Sequence, residues 1–247
     1  MNLHFLGTGS AYPGVERDNT SICISYNGFH VLVDVSGNPC RKLKQFDIDL
    51  EELDVIIFTH FHIDHIYGLP SLLWGMLLEN RHKPLTIYCD KRNKEKLDSW
   101  LDTMGIEEWG IKFSIHTRTF NGDRNEKLLT DSGMSISCFP ALHSVPTVGL
   151  EIKTDQQLTV YSADSKINAH IQSYQHIDVL IHEATTAKKH DPNHSSLTEI
   201  AESYELNAID KVILVHLSDH EPYDEELTRL NTKGKIQKAE EMMSIKL

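Results

Sequence analysis

The segment Thr59-His60-Phe61-His62-Ile63-Asp64-His65 constrains this chain more than any other. Four imidazole or carboxylate side chains fall within six residues, directly after the apolar run Val55–Phe58, which reads as a short buried strand. His60 and His62 are two apart, so in extended chain both project to one side. Asp64 and His65 then stand at the start of a helix. Phe61 and Ile63 fill the spacer positions with apolar side chains. Sites in α/β folds are usually built at strand ends, and neutral imidazole is the commonest metal ligand. The pattern asks for an α/β fold that delivers a metal centre just past a buried strand.

Composition narrows the partners. The 247 residues include 15 histidines, and 24 Lys+Arg against 36 Asp+Glu leave a formal net charge of −12. A chain of this length can bury a full core, and 40% hydrophobic residues exclude a disordered one. The acidic balance argues against a general nucleic-acid coat, which needs a basic footprint, but leaves room for a small phosphate ester in a local site. Lys91-Arg92-Asn93-Lys94 and Lys188-Lys189 are the basic knots, and each reads as a solvated face. Cys23, Cys40, Cys89 and Cys138 form no Cys-x-x-Cys and no disulfide framework, which suits buried thiols of a reducing compartment. No secretory n-region precedes an apolar run, and no stretch of about 18 apolar residues exists to span a bilayer. The expectation is a soluble, cytoplasmic protein without a membrane partner.

Short apolar runs alternate with helical patterns. Leu3–Leu6, Ser21–Tyr26, His30–Asp34, Val55–Phe58, Leu85–Tyr88, Ile111–His116, Ser135–Phe139, Val148–Lys153, Leu158–Tyr161, Val179–Ile181 and Val212–Val215 read as strands. Leu69–Leu78, Lys91–Met104, Ile167–Tyr174, Ser196–Tyr204 and Asp224–Leu230 read as helices, with Gly105 as a stop after the second. Lys233–Leu247 is amphipathic at best and reads as a frayed or packed helix. The polar stretch Asn121–Asn125 is the best internal seam. No segment looks like a Pro/Gly/Ser linker, so a single domain over residues 1–247 is expected. An α/β class with two sheets and outer helices fits the mixture.

The His-x-His-x-Asp-His segment resembles that of the metallo-β-lactamase-fold hydrolases. Their further ligands follow later strands, and here His143, Asp164 and His216 each lie just past a predicted strand and in the expected order. The resemblance implies a four-layer αβ/βα sandwich of two mixed β-sheets flanked by helices. It implies a dinuclear centre in which His60, His62 and His143 hold one metal, Asp64, His65 and His216 the other, and Asp164 bridges them. Seven N/O ligands suffice for two four- or five-coordinate divalent ions sharing a carboxylate and a water. Such a pair, roughly 3.5–4 Å apart, lowers the pKa of a bridging water. With no Cys in a ligand place, the donors suit Zn2+, with Mn2+ or Fe as alternatives. Gly68 and Leu69-Pro70 after the motif also fit the family. Asp34 is a candidate to orient a ligand, with loop capping an equal alternative.

Smaller motifs resemble the ribonuclease Z-like branch: Phe5-Leu6-Gly7-Thr8-Gly9-Ser10 with Asn19-Thr20-Ser21, His143-Ser144-Val145-Pro146 followed by Gly149, His182-Glu183-Ala184-Thr185, and His194-Ser195-Ser196. Thr186 departs from the Phe usual after the third. By this resemblance Asp64, Glu183 and His194 are the candidate catalytic residues. A metal-bridging hydroxide would attack phosphorus, His194 would protonate the departing oxygen, and Glu183 would hold that imidazole and raise its pKa. The alternative is that Glu183 and His194 make no mutual contact. His182 reads as structural. The tRNA-gripping arm of ribonuclease Z follows its His-x-x-Pro-x-x-Gly segment, and here Gly149 and Asp164 leave room only for two strands and a turn at Asp155-Gln156-Gln157. A phosphodiesterase for a small or cyclic phosphodiester is therefore expected, with tRNA 3′ processing, thioester hydrolysis and a non-catalytic metal-binding module as alternatives. A homodimer through Leu69–Leu78, including Trp74 and Met76, competes with burial of that stripe inside the monomer.

Overall fold

The computed structural model describes residues 1–12 and 14–247. The chain falls into two compact units. One comprises Met1–Gly7, Thr20–Asn121 and Met242–Leu247, and the other Thr8–Asn19 and Gly122–Glu241. The change between Asn121 and Gly122 falls in the polar stretch that reads as a seam in sequence.

The first unit is built on a seven-stranded mixed sheet. Strands β1 (Asn2–Gly7), β2 (Ser21–Tyr26) and β3 (Phe29–Val33) form an antiparallel meander, and β4 (Leu53–Ile57), β5 (Leu85–Asp90) and β6 (Ile115–Phe120) continue it in parallel. The chain's last strand, β14 (Ser244–Lys246), closes the other edge against β1. Helices α1 (Pro39–Gln45), α2 (Ile63–Ile66), α3 (Leu69–Leu78) and α4 (Lys94–Thr103) flank this sheet. Strands covered by helices carry near-continuous apolar runs, as Val55-Ile56-Ile57 does. Helix α1 starts where Asn38 accepts from the Arg41 N–H and Pro39 pre-sets the first turn. Helix α3 buries Leu69, Leu72, Leu73 and Met76, an i, i+3, i+4, i+7 stripe worth about 2 kcal/mol per fully buried side chain. Most of that apolar stretch therefore faces the core, and Trp74 and Leu78 remain outside at 46% and 68% exposure. Buried Arg81 ties the turn after α3 to backbone carbonyls of Leu50, Glu51, Leu53, Lys83 and Pro84.

The second unit repeats the plan. Strands β7 (Glu126–Asp131), β8 (Met134–Pro140), β9 (Val148–Lys153) and β10 (Leu158–Tyr161) form an antiparallel meander; β11 (Ile177–Glu183), β12 (Ile209–Val215) and β13 (Ile236–Lys238) follow β10 in parallel. Helices α5 (Ala169–Gln172), α6 (Leu197–Ser203) and α7 (Tyr223–Leu230) flank it. Helix α6 opens with a capping box in which Ser196 and Glu199 satisfy each other's backbone N–H groups. Each sheet thus ends in parallel strands whose carboxyl ends lie at one edge, the place where α/β folds build sites.

The structure differs from the sequence reading at several elements. Residues 233–247 form no helix: Ile236 and Ile245 sit in three-residue strands on opposite sheets' edges, too short to show a period of two. Strand β7 has no counterpart in the sequence reading because its charged residues, Glu126, Lys127 and Asp131, break any apolar alternation. The strand expected at Ile111–His116 begins at Ile115, where pairing with Leu85 starts, while Ile111 and Phe113 pack into the core instead. The expected helix Lys91–Met104 opens with a 3-10 turn because the Asp90 carboxylate caps the Arg92 N–H. Among the described residues no helix is long and apolar enough to cross a membrane.

Candidate metal centre

In the first unit, β4 delivers its carboxyl end to Thr59 and His60, and α2 carries Asp64 and His65. Extended backbone at His62 (ψ 149°) separates the two. The alternation brings His60 Nε2 to 3.1 Å from His62 Nδ1, with both rings on one side. His65 Nε2 lies 3.2 Å from Asp64 Oδ2. Asp34, at the exit of β3 and fully buried, fixes this half. Its carboxylate accepts from the Thr59 N–H (2.8 Å), the Thr59 hydroxyl (2.8 Å) and His65 Nδ1 (2.7 Å). Burial pushes the Asp34 carboxyl above its ordinary pKa, and His65 and Thr59 pull it back. The motif is stapled to the β3 exit by Val35 N–H to His65 C=O (2.8 Å), Gly68 N–H to Val35 C=O (2.9 Å) and Ser36 hydroxyl to Asp64 C=O (2.6 Å). A Cβ on Gly68 would stand 2.9 Å from that Val35 oxygen, which is why glycine follows the motif.

In the second unit, three strand exits supply the residues. Asp164 follows β10, Glu183 ends β11 and His216 follows β12. Ala163 (φ 51°) and His216 (φ 57°), like Asp34 (φ 59°) in the first unit, adopt the left-handed conformation that non-glycine residues rarely take. Such strain at the point where a strand releases its functional side chain is characteristic of sites held by the surrounding structure. One Asp164 carboxylate oxygen, Oδ2, lies 3.8 Å from His143 Nε2 and 3.3 Å from His216 Nε2. His143 engages the Asn193 carbonyl through Nδ1 (3.0 Å), and His216 engages the Thr185 hydroxyl through Nδ1 (2.8 Å).

His194 and Glu183 are in contact. His194 Nδ1 lies 2.9 Å from Glu183 Oε1, and the imidazole packs against the rings of His143 (4.9 Å between centroids) and His216 (5.2 Å, near-parallel). Burial lowers the His194 pKa, but its hydrogen bond with Glu183 and the negative charges of Glu183, Asp164 and Asp191 outweigh this and lift it to about 9. Glu183 is fully buried and also accepts from the N–H groups of Ser165, Ser195 and Thr185 and from the Thr185 hydroxyl. His182 faces away into the core between Tyr204 and its own strand, with burial pulling its pKa to about 4.

Thr59 and Thr185 stand in the sequence motifs, but the sequence reading assigns neither a role. Each hydroxyl contacts both a buried carboxylate and a histidine, Thr59 reaching Asp34 and His60 Nδ1, Thr185 reaching Glu183 and His216 Nδ1. Their place in the motifs does not name their distant partners, Asp34 and His216, which only the fold brings to them. Gly149, by contrast, has a local cause: a Cβ there would lie 2.3 Å from the Phe139 ring and 2.8 Å from the Tyr161 carbonyl.

The donor set fits divalent metal. Every atom offered is an imidazole nitrogen or a carboxylate oxygen, and His60, His65, His143 and His216 each contact protein through Nδ1, which makes Nε2 the candidate ligand atom.

Comparison with known proteins places this architecture. The metallo-β-lactamase fold protein YhfI of Bacillus subtilis superposes with a TM-score of 0.82 over 99% of this chain and 98% of its own, at 20% identity. A diphosphatase of the PhnP family superposes with a TM-score of 0.77 over 100% and 97%, also at 20% identity. The chain has the metallo-β-lactamase fold. A family model described as anti-Pycsar protein Apyc1 matches residues 1–241, and the chain belongs to that family. Ribonuclease Z of Methanococcus maripaludis strain C7 is 26% identical over 281 alignment positions, covering 91% of this chain and 89% of its own.

Proposed function

We propose that this chain is a dinuclear metal-dependent phosphodiesterase for a small or cyclic phosphodiester, its residues 1–247 acting as one hydrolase domain in the cytoplasm. The observation that carries the reading is the Glu183–His194 pair, a buried carboxylate holding a partly exposed imidazole. His60, His62 and His143 would hold one ion, Asp64, His65 and His216 the other, and Asp164 would bridge, with Zn2+ the best match to the donors and Mn2+ or Fe next. Bound there, the two ions would activate the attacking water and neutralise charge on the phosphoryl oxygens. Glu183 fixes His194 Nδ1 and favours its protonated form. His194 then offers its Nε2 proton to the departing oxygen, the step that a poor alkoxide leaving group needs. The four cysteines are thiols rather than disulfides, in keeping with a reducing compartment.

Transfer-RNA 3′ processing is the second reading, favoured by the relatives named ribonuclease Z. Three features favour the smaller substrate. Between β9 and β10 runs only a tight turn, closed by Thr154 N–H to Gln157 C=O (3.0 Å), where the arm of ribonuclease Z would follow. About 225 residues of this chain, 91% of 247, are spread over 281 positions of the Methanococcus alignment, so that relative carries segments this chain lacks. The basic knots are also matched by acids: Arg92 with Asp90, Lys94 with Asp98, Lys188 with Glu226 and Lys189 with Glu221. A second copy of the chain is proposed to cover the exposed Trp74 and Leu78, which sedimentation of wild type against Trp74→Glu checks.

The deciding experiment is a screen of bis(p-nitrophenyl) phosphate, cyclic nucleotides, precursor tRNA and thioesters against Zn- and Mn-loaded protein. Turnover of cyclic phosphodiesters is expected. Site-specific cleavage of precursor tRNA instead would promote the second reading, and thioester turnover alone would move the chain to a different branch. No phosphodiester turnover with both ions bound would sink the proposal.

A further inference from the structure

Strands β11 and β12 carry a second group of metal-type ligands at their amino ends. Asp178 and Asp210 occupy matching positions on these parallel strands, between the paired Ile177–Ile209 and Val179–Lys211. Strand alternation puts both carboxylates on the face away from buried Ile177, Val179 and Ile209. His176, just before β11, sets Nε2 at 3.5 Å from Asp178 Oδ1 and 3.6 Å from Asp210 Oδ2. All three ligand atoms lie within 4.8 Å of one another. The Leu158 N–H donates to the other Asp178 oxygen at 2.7 Å and so turns Oδ1 toward the imidazole. Lys235, which also reaches the start of β12, uses its ammonium on the carbonyls of Leu206 and Ile209 rather than on these carboxylates.

We propose that His176, Asp178 and Asp210 form a surface site for a borderline divalent transition ion such as Zn2+. The separations of 3.5 and 3.6 Å are longer than a charge-assisted hydrogen bond. They are close to the edge of a tetrahedron about an ion with bonds of about 2.0–2.1 Å, which is roughly 3.3–3.4 Å. Two carboxylates side by side on neighbouring strands repel, and an ion between them and the imidazole relieves that repulsion. One nitrogen and two oxygen donors select Zn2+, Ni2+ or Cu2+ over Mg2+ and Ca2+, which prefer all-oxygen shells. Three protein ligands leave the fourth position to water. The site lies five residues along β11 from Glu183, roughly 16 Å, so it is distinct from the residues at the carboxyl ends. An ion here would clip the starts of β11 and β12 together.

Zinc binding to wild type, His176→Ala and Asp210→Asn, followed by equilibrium dialysis with metal analysis, tests this directly. Both substitutions are at exposed positions, and melting in chelator verifies that each variant folds. Wild type is expected to bind one more equivalent than either variant, with that equivalent at least tenfold weaker than any others. Paramagnetic Cu2+ added in trace amounts to protein loaded with zinc only at its tighter sites is expected to broaden amide signals of residues 157–159, 176–179 and 209–211. Identical isotherms for all three proteins, or broadening confined to other regions, would overturn the proposal. Neither readout depends on catalysis, so it stands or falls apart from the phosphodiesterase reading.

Discussion

Glu183 grips His194 with one oxygen, at 2.9 Å from Nδ1, while four other donors pin the same carboxylate in place. A buried acid held by five donors cannot swing, so the imidazole inherits its position. His194→Ala and Glu183→Gln are expected to lower kcat for phosphodiesters by about 10²–10⁴-fold. Metal content should stay unchanged. The loss should be larger for an alkoxide leaving group than for p-nitrophenolate, which departs without a proton. Equal losses for both leaving groups would assign His194 a positioning role only.

Thr185 joins that pair to His216, a proposed metal ligand. Its hydroxyl lies 3.1 Å from Glu183 Oε2 and 2.8 Å from His216 Nδ1. Thr185→Val keeps the shape and removes both contacts. Groups that orient ligand histidines typically contribute 10–100-fold in metal affinity, and a loss of that size is expected. Competition with a chromophoric chelator measures it, and retention of wild-type affinity would show that His216 is held by packing alone.

Asp34 plays the corresponding part for His65, but under greater constraint. Its φ of 59° is one that Asn also tolerates, so Asp34→Asn preserves the backbone and removes the charge. The change weakens the His65 Nδ1 and Thr59 hydrogen bonds in a fully buried site, at a cost of about 1–3 kcal/mol in stability. Urea unfolding should register that loss, and metal affinity should fall with it.

How much of this was legible in sequence depends on the kind of signal. His60, His62, Asp64 and His65 were legible because they crowd behind an apolar strand, and α3 because its stripe spans ten residues. His143, Asp164, His194 and His216 are scattered, and became candidates only through resemblance and their places after strands. Thr59 and Thr185 act across 25 or more residues, Thr59 on Asp34 and Thr185 on His216, and no local pattern encodes such distances. Strands β13 and β14 escaped for a different reason. Three-residue edge strands are specified by the sheet they join, not by their own composition.

Gly149 is a test of packing rather than chemistry. Its Cα faces the Phe139 ring and the Tyr161 carbonyl, so even an Ala Cβ would meet atoms at 2.3 and 2.8 Å. Phe139 is buried at 1% exposure in the core of the second unit and has little freedom to yield. Overpacking of this kind costs about 1–3 kcal/mol, so Gly149→Ala should lower Tm by several degrees. An unchanged Tm would mean that β8 and β9 can part more easily than their pairing suggests.

His182 should make stability depend on pH. Its Nδ1–H donates to the Glu183 carbonyl at 2.7 Å, and Nε2 accepts from the Tyr204 hydroxyl at 2.9 Å, which in turn accepts from the Asn168 N–H at 3.1 Å. That network fits the neutral ring, and complete burial lowers the folded pKa to about 4. Unfolded, the ring titrates near 6.5. Between these values the unfolded chain takes up a proton that the folded chain refuses. Stability is therefore full above about pH 6.5 and is lost as pH falls toward 4, by about 3 kcal/mol in all. Urea unfolding in chelator between pH 7.5 and 5 would show the slope for the wild type. His182→Asn, whose amide can still donate to the Glu183 carbonyl, should start less stable and lose less on acidification. Parallel slopes for the two proteins would mean that His182 is charged in the folded state.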